Sequence, residues 1–378
     1  MTKKQIIIGA VIVIVLAAFA CACLDKQPTE PEEIEIGAVL PLTGDFAIYG
    51  EKMQNGIDLA VQEINEKGGI NSKNLVVIYE DDQGDPKTSV AAFRKIIAVE
   101  NVSVVIGGAI SSTALPTAPI ADKESVVLFS PAATSPKLTG ISKYFFRNWP
   151  SDTYEGTIMG EFTADELKLH NVAVLYVNND WGVGISQVFE KTFREKGGTI
   201  VAEEAFDPGA SDFRTQLTKI KESDPQAIYI IGYLKELLIL LKQKEELGIE
   251  TQILSSSGFY DPQILQEVGE AAEGTIFTVP TYDPESPNEV EKAYVSTYEA
   301  KYGVTPDIWS AQAYDAMNII AYALRNGATS GPEIQVELLK IKGFEGVTGL
   351  TSFDEKGEVQ KPLRFLMVKN GEFITYQK

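Results

Sequence analysis

The chain has 378 residues and a formal net charge of −20, from 53 acidic and 33 basic side chains, and 44% of its residues are hydrophobic. A chain of this length exceeds the size at which one core keeps growing, so two lobes are expected. The acidic balance excludes nucleic acid as a partner, because binding phosphate needs a basic face.

The first 23 residues differ in composition from the rest. Lys3 and Lys4 precede an apolar run at residues 6–20, which is short for a membrane span but suits a secretory signal. Small residues and two cysteines follow, and this end resembles the lipobox of prokaryotic lipoproteins. The resemblance implies that Cys23, or else Cys21, is acylated and anchors the protein to the outer face of the cell membrane. The alternative is an uncleaved N-terminal helix, which gives the same topology.

Residues 24–33 read LDKQPTEPEE, a polar and acidic stretch with two prolines. Such a composition cannot bury a core, so we expect a spacer between the membrane and a globular part. Both cysteines lie before the spacer, and the mature part is therefore expected to contain no disulfide.

Beyond the spacer, the hydrophobic pattern alternates between buried strands and amphipathic helices. In the first series, strands are predicted at residues 34–40, 75–79, 102–106 and 126–129, with a helix at 86–99. In the second series, a helix is predicted at 153–169 and strands at 172–177, 199–205, 227–231, 252–254 and 274–279. This alternation predicts an α/β fold in which each lobe is a doubly wound, mostly parallel sheet.

The last third of the chain is expected to return to the first lobe through helices at 287–302 and 309–325, and then to end in a β-hairpin. The predicted lobes are residues 34–150 with 281–362 for lobe 1, and residues 151–280 with 363–378 for lobe 2. The chain would therefore cross between the lobes three times.

Small hydroxyl residues follow two consecutive strands of the first series. They are Ser111, Ser112 and Thr113 in the first turn, and Ser130, Thr134 and Ser135 in the second. The carboxyl ends of parallel strands face a crevice, where an anion can meet hydroxyls and helix N-terminal N–H groups. Each residue alone would suit a helix N-cap. Two such turns together predict a site for a small anion.

The chain offers few catalytic groups. Its one histidine, His170, precedes a predicted strand, and both cysteines lie in the leader, so zinc and thiol chemistry are excluded. No nucleophile elbow, zinc-protease pair or phosphate-binding loop occurs in the sequence. A carboxylate-based hydrolase stays open, although no pair of acids is singled out. We expect a binding protein and not an enzyme, with no cofactor and no metal.

From residue 34 onwards the chain resembles the type I periplasmic binding proteins, in particular the branched-chain amino acid (leucine/isoleucine/valine) branch of ABC importers. The motifs that carry this resemblance are IGAVLPLTGDFAIYG, GIDLAVQEINEKGGI, YEDDQGDP, VVIGGAISST and FSPAATSPKLT. The resemblance implies a two-lobed Venus-flytrap protein, expected to be a monomer, that closes on an amino acid and delivers it to ABC permease subunits. A sensory ligand-binding domain of the same fold is the alternative.

The same resemblance implies a ligand pocket. The positions that hold the ligand α-carboxylate correspond to Ser111, Ala132 and Thr134, with Ser112 beside them. The aromatic positions that line the pocket correspond to Tyr49 and Trp181, from opposite lobes, with Tyr233 and Tyr314. Ser257, Tyr260 and Asp261, which follow the strand predicted at 252–254, are also expected to line the pocket. Core packing is the alternative reading for each aromatic residue.

One departure from the family concerns the ligand ammonium. The branched-chain binders carry an acid at a position that falls on Ser257 here. Burying an ammonium without a partner is costly, so Asp261, which follows Tyr260 in the same segment, is the expected substitute, with Asp283 next. If neither reaches the cleft, the ligand is expected to be a carboxylate without an amine, or an amide or an aromatic acid.

Overall fold

The computed structural model describes residues 33–377. The predicted leader, the spacer up to residue 32, and Cys21 and Cys23 lie outside the described residues. Within residues 33–377 no helix combines the length and the apolar character needed to cross a lipid bilayer.

The first sheet has five strands, all parallel, in the order β2-β1-β3-β4-β5. In chain order they are β1 (Glu33–Leu40), β2 (Asn74–Asp81), β3 (Val104–Gly107), β4 (Val127–Ser130) and β5 (Phe145–Arg147). The helices between them are α1 (Ala47–Glu66), α2 (Pro86–Val99) and α3 (Ser111–Glu124). The strands β3, β4 and β5 are buried throughout, as expected for a parallel sheet covered on both faces.

The second sheet begins after α4 (Asp152–Glu161). Its parallel strands are β6 (Asn171–Val177), β7 (Thr199–Phe206), β8 (Ala227–Ile231), β9 (Gln252–Ser255) and β10 (Ile276–Pro280). The helices that connect them are α5 (Asp180–Glu195), α6 (Arg214–Glu222), α7 (Leu234–Glu246) and α8 (Pro262–Val268).

The chain then returns to the first sheet through helices α9 (Glu289–Tyr302), α10 (Ile308–Arg325) and α11 (Gly331–Leu339). A separate two-stranded sheet follows, formed by β11 (Lys342–Gly346) and β12 (Gly349–Ser352). The last two strands, β13 (Leu363–Lys369) and β14 (Glu372–Thr375), join the second sheet antiparallel to β10 and to each other. The order of that sheet is β14-β13-β10-β9-β8-β6-β7.

The predicted α/β fold with mostly parallel sheets is confirmed, and several details differ, among them strand β5, which was not predicted. The helix predicted at 153–169 ends at Glu161 and continues as a π-helical segment, Phe162–Glu166. The strand predicted at 274–279 lies at Ile276–Pro280, because Thr275 and Gly274 form the turn that enters it. The two-stranded sheet β11–β12 was not predicted, since its glycine-rich sequence carries little hydrophobic periodicity. The residue boundaries of the lobes stay a prediction.

Candidate ligand-binding site

A cavity lies where the carboxyl ends of the two sheets face each other. Its walls come from α1, from the segments after β3, β4, β5, β6, β8 and β9, and from the start of α10. The lining residues are Tyr49, Met53, Ala109, Ile110, Ser111, Ala132, Thr134, Trp149, Trp181, Tyr233, Ser257, Gly258 and Trp309. The cavity is narrow, with a volume of about 40 Å³, which excludes a peptide.

The two hydroxyl-bearing turns form one wall and are joined by a single side chain. Ser111 is the first residue of α3, and its Oγ accepts hydrogen bonds from the backbone N–H groups of Thr134 at 3.3 Å and Ser135 at 3.1 Å. Ser130 Oγ donates to the Gly108 carbonyl at 2.8 Å, which ties the end of β4 to the end of β3. The N-terminus of α3, where the first N–H groups have no intrahelical acceptor, thus lies beside Thr134.

Aromatic rings form the opposite wall and the rim. Tyr49 contacts Trp309 with ring centroids 4.7 Å apart, and Trp309 contacts Trp149 at 4.9 Å. On the side of the second sheet, Trp181 contacts Tyr233 at 4.7 Å. The Tyr49 hydroxyl accepts a hydrogen bond from the Leu234 N–H at 2.9 Å, so the two sides touch each other across the cavity.

Seven of the predicted pocket residues line this cavity, whereas Ser112, Tyr260, Asp261 and Tyr314 lie outside it. Tyr314 donates its hydroxyl to Glu63 at 2.9 Å, near the C-terminal end of α1. Tyr260 packs its ring on Phe373, with centroids 5.4 Å apart. Trp149, Trp309 and Met53 line the cavity without having been predicted.

Neither acid predicted to replace the family's ammonium-binding acid reaches the cavity. Asp261 caps α8, accepting from the Gln263 N–H, and its carboxylate lies 2.7 Å from Lys52 Nζ. Asp283 lies on the surface, 3.3 Å from the Arg364 guanidinium. Lys52, from α1, forms an ion pair with Asp261, so this carboxylate is not free for a ligand ammonium.

Two other acids lie close to the cavity, in the first turn of α4. Glu155 accepts hydrogen bonds from Ser257 N at 2.7 Å, Ser257 Oγ at 3.0 Å and Thr278 Oγ1 at 2.6 Å. Asp152 is fully buried, and the side chains of Thr134 and Trp181 face its carboxylate. Burial, and then the charge of Glu155, raise the pKa of Asp152 well above its usual range.

Sequence reasoning missed both of these acids. They lie three residues apart after Pro150, a spacing that is common at helix N-termini because acids there interact well with the helix dipole. No sequence pattern shows that Ser257, 102 residues away, packs against Glu155. Across the part of the chain that the structure describes, no group of three or more His, Cys, Asp or Glu side chains could hold a metal ion.

The chain is similar along most of its length to bacterial solute-binding proteins. The sequence pattern of the periplasmic binding protein family matches residues 33–372. The leucine-, isoleucine-, valine-, threonine- and alanine-binding protein of Pseudomonas aeruginosa is 31% identical over 362 residues, which cover 96% of this chain and 94% of that protein.

Solved structures show the same relationship. LivJ, a branched-chain amino acid transporter substrate-binding protein of Streptococcus pneumoniae solved with isoleucine, has a TM-score of 0.83 and 33% identity, covering 90% of this chain and 98% of its own. LivK, a leucine-binding protein of Thermotoga maritima, has a TM-score of 0.83 and 31% identity, covering 91% and 98%.

These relatives are solute-binding proteins and not enzymes, and the match extends over both sheets and the cavity between them. The chain therefore belongs to the periplasmic binding protein family, in the type I branch that contains the branched-chain amino acid binding proteins of ABC transporters.

Proposed function

We propose that this chain is an extracytoplasmic receptor that binds a branched-chain or related α-amino acid in the cavity and delivers it to the permease of an ABC importer. The observation that carries the proposal is the pair of turns joined through Ser111 Oγ. These turns place the Ser111 and Thr134 side chains and the N-terminus of α3 on one wall. Hydroxyls and a helix N-terminus together suit a carboxylate.

The rest of the wall supports an aliphatic side chain on the ligand. Met53, Ile110 and the rings of Trp149 and Trp309 present apolar surface. Burying a leucine- or valine-sized side chain against such a surface contributes about 1.5–3 kcal/mol. The small size of the space would favour one amino acid over longer ligands.

The names of the relatives support the same ligand class. The Pseudomonas aeruginosa protein is named for binding leucine, isoleucine, valine, threonine and alanine, and the Streptococcus pneumoniae structure contains isoleucine. All of these ligands are α-amino acids with small or branched side chains, which the apolar wall described above would accommodate.

Calorimetry tests the ligand class. The mature domain would be unfolded, dialysed and refolded to remove any bound ligand, and then titrated with leucine, isoleucine, valine, alanine, glutamate and benzoate. We expect heat of binding from the branched-chain amino acids and little from glutamate or benzoate. The absence of binding by every amino acid in the panel would overturn the proposal.

The proposal includes a lipid anchor on Cys23, or else on Cys21, that would hold a monomeric receptor at the outer face of the cell membrane. Labelling expressing cells with radioactive palmitate tests this part. We expect label in the wild-type chain and its loss in Cys23→Ala, with Cys21→Ala still labelled. Label that persists in the double variant would rule out acylation at this end.

A further inference from the structure

Resting on the function proposed above, we propose that Arg147 is a positioning residue for the ligand carboxylate, although it is not among the residues that line the cavity. Its guanidinium acts through the Ala133–Thr134 peptide group and the Ser111 hydroxyl, which connect it with the cavity wall. The charge of Arg147 thereby contributes to the affinity for a carboxylate that it does not touch.

The first argument is that the Arg147 side chain has all of its hydrogen bonds within the protein. Arg147 is the last residue of β5 and is fully buried. Its Nη1 donates to the carbonyls of Ala133 at 3.3 Å and Ser135 at 3.1 Å. Its Nη2 donates to Thr139 Oγ1 at 3.0 Å, and Nε and Nη2 donate to Glu358 Oε2 at 3.0 and 2.6 Å. These bonds use the whole donor set of a guanidinium, so its position is fixed and none of its N–H groups is left for a ligand.

The second argument is that Arg147 fixes the direction of one peptide group. The Ala133 carbonyl and the Thr134 N–H belong to the same planar, trans peptide, so they point in opposite directions. The carbonyl accepts from Arg147, and the N–H donates to Ser111 Oγ at 3.3 Å. Because the carbonyl is held by a buried cation, the N–H stays directed at the wall that Ser111 and Thr134 form.

The third argument concerns the proton of the Ser111 hydroxyl. A hydroxyl can accept hydrogen bonds through both of its lone pairs while it donates its proton. The Ser111 Oγ accepts from the N–H groups of Thr134 at 3.3 Å and Ser135 at 3.1 Å, which occupies both lone pairs. The proton is left to donate, and Ser111 lines the cavity. A carboxylate in the cavity would accept this proton, at the end of a chain of hydrogen bonds that begins at Arg147.

The fourth argument is electrostatic and predicts the sign of two opposite changes. Hydrogen bonds in a chain polarise one another, so a cation at one end strengthens donation at the other, by roughly 10–30% per bond. The carboxylate of Glu358 opposes this effect, because its Oε2 accepts two of the Arg147 bonds. Removing the charge of Arg147 should therefore weaken the binding of a carboxylate, whereas removing the charge of Glu358 should not.

Titration calorimetry with leucine tests the proposal in three variants. Arg147→Met should weaken leucine about tenfold or more, the cost of losing a charge-assisted hydrogen bond. Glu358→Gln should bind leucine at least as tightly as the wild-type chain, because the guanidinium keeps its bonds to the turn and loses an opposing charge. The double variant, Arg147→Met with Glu358→Met, should remain weak although it leaves no unpaired buried charge.

A purely structural role of the ion pair predicts the opposite pattern. Breaking a buried pair from either side would then weaken leucine, and removing both charges would restore the wild-type affinity. Weaker leucine binding by Glu358→Gln, or wild-type affinity in the double variant, would therefore overturn the inference. If Arg147→Met does not fold, Glu358→Gln and the double variant still decide between the two roles.

Leucinamide gives a second measurement that a structural role would not change. It has the side chain and the amine of leucine but carries a neutral carboxamide, and its affinity is measured by displacement of leucine. In the double variant the ratio of leucine affinity to leucinamide affinity should fall below that of the wild-type chain. An equal loss for both ligands would contradict a role of Arg147 toward the carboxylate.

The outcomes also separate this inference from the proposed function. Wild-type protein that binds leucinamide as tightly as leucine would overturn the role of Arg147 and leave an amino acid receptor. Wild-type protein that binds no amino acid would overturn both.

Discussion

Ser111 illustrates how one side chain can serve both the fold and the site. Its Oγ accepts from two backbone N–H groups of the second turn, and its position at the start of α3 places it in the cavity wall. Removing this hydroxyl would leave the N–H groups of Thr134 and Ser135 without an acceptor. The cost of such a change would therefore exceed the loss of one contact to the ligand.

The first prediction concerns the hydroxyls of this wall. Thr134→Ala should weaken leucine binding by about 1–3 kcal/mol, through loss of a charge-assisted hydrogen bond to the carboxylate. Ser111→Ala should weaken it at least as much, because the second turn also loses its tether. Ser112→Ala is the control, since Ser112 lies outside the cavity wall and should keep wild-type affinity. Titration calorimetry measures all three, and an unchanged Thr134→Ala would remove the second turn from the site.

The second prediction concerns Lys361, which is buried near Asp315. Lys361 Nζ donates to Thr348 Oγ1 at 2.7 Å, and burial lowers its pKa to about 8 although Asp315 opposes the shift. An unfolded lysine has a pKa of about 10.4. Between these two values the unfolded chain binds the proton that the folded chain has lost, so stability should rise with pH from about 8 to about 10, by up to about 1.4 kcal/mol per unit.

Urea unfolding at pH 7.5, 8.5 and 9.5 measures this effect against Lys361→Met, which removes the titrating group. The variant should lack the rise that the wild-type chain shows. An identical pH profile in the two proteins would mean that Lys361 keeps its proton throughout this range.

Residue by residue, the sequence predicted the positions that follow strand ends better than those that depend on packing between distant segments. Five predicted residues follow strand ends by two to four positions, and they meet in the cavity because the parallel strands of each sheet end at the edge that faces it. They are Ser111, Ala132, Thr134, Trp181 and Ser257. Their roles toward a ligand stay predictions. Asp261 was expected in the cavity but lies outside it, and only the folded chain shows that Lys52 is paired with its carboxylate.

At the scale of elements, the packing of α1 against α10 depends on a glycine in the middle of α1. A Cβ on Gly56 would lie 2.1 Å from the Ser310 carbonyl oxygen. The contact is with backbone, so the two helices would have to move apart. These helices carry Tyr49 and Trp309, and a shift between them would change the cavity rim.

The third prediction follows from this contact. Gly56→Ala raises the helix propensity of α1 by about 1 kcal/mol, yet it should lower the free energy of unfolding by a net 1–3 kcal/mol, roughly the cost of overpacking. Urea unfolding gives the sign directly. Glu51→Ala, at an exposed position of the same helix, is the control and should stay within about 0.5 kcal/mol of wild type. A stabilised Gly56→Ala protein would show that α10 can move away from α1 without lowering the free energy of unfolding.

The ends of helices were predicted most closely where the sequence carries capping residues. The helix at 86–99 has the predicted bounds, because Asp85 accepts from Lys87 N and Thr88 N and Pro86 occupies its first turn. The helix predicted at 153–169 has no such stop signal, and its last part follows a π-helical path. At the start of the π-helical segment Phe162 packs on Phe365, with ring centroids 4.0 Å apart, a tertiary contact that the sequence does not show.

At the scale of the whole molecule, several ion pairs within residues 33–377 join the two sides of the cavity, and those of Lys52 are the most buried. Its Nζ lies 2.7 Å from Asp261, at the start of α8, and 2.8 Å from Asp307, at the start of α10. The two carboxylates belong to helices packed with different sheets, and their side chains are 5% and 14% exposed. The lysine therefore bridges two acids that would repel each other when the sides meet.

The fourth prediction is that Lys52→Met shifts the chain toward an open form. Two facing, largely buried carboxylates disfavour contact between the sides, and the apparent affinity for a ligand falls with the fraction of closed protein. We expect leucine binding to weaken about tenfold or more, and the radius of gyration from small-angle X-ray scattering to increase. Lys235→Met is the matched control, because its pair with Asp45 also spans the cleft but is 56% and 64% exposed, so its loss should have little effect. If the two variants bind and scatter alike, the Lys52 contacts do not determine closure.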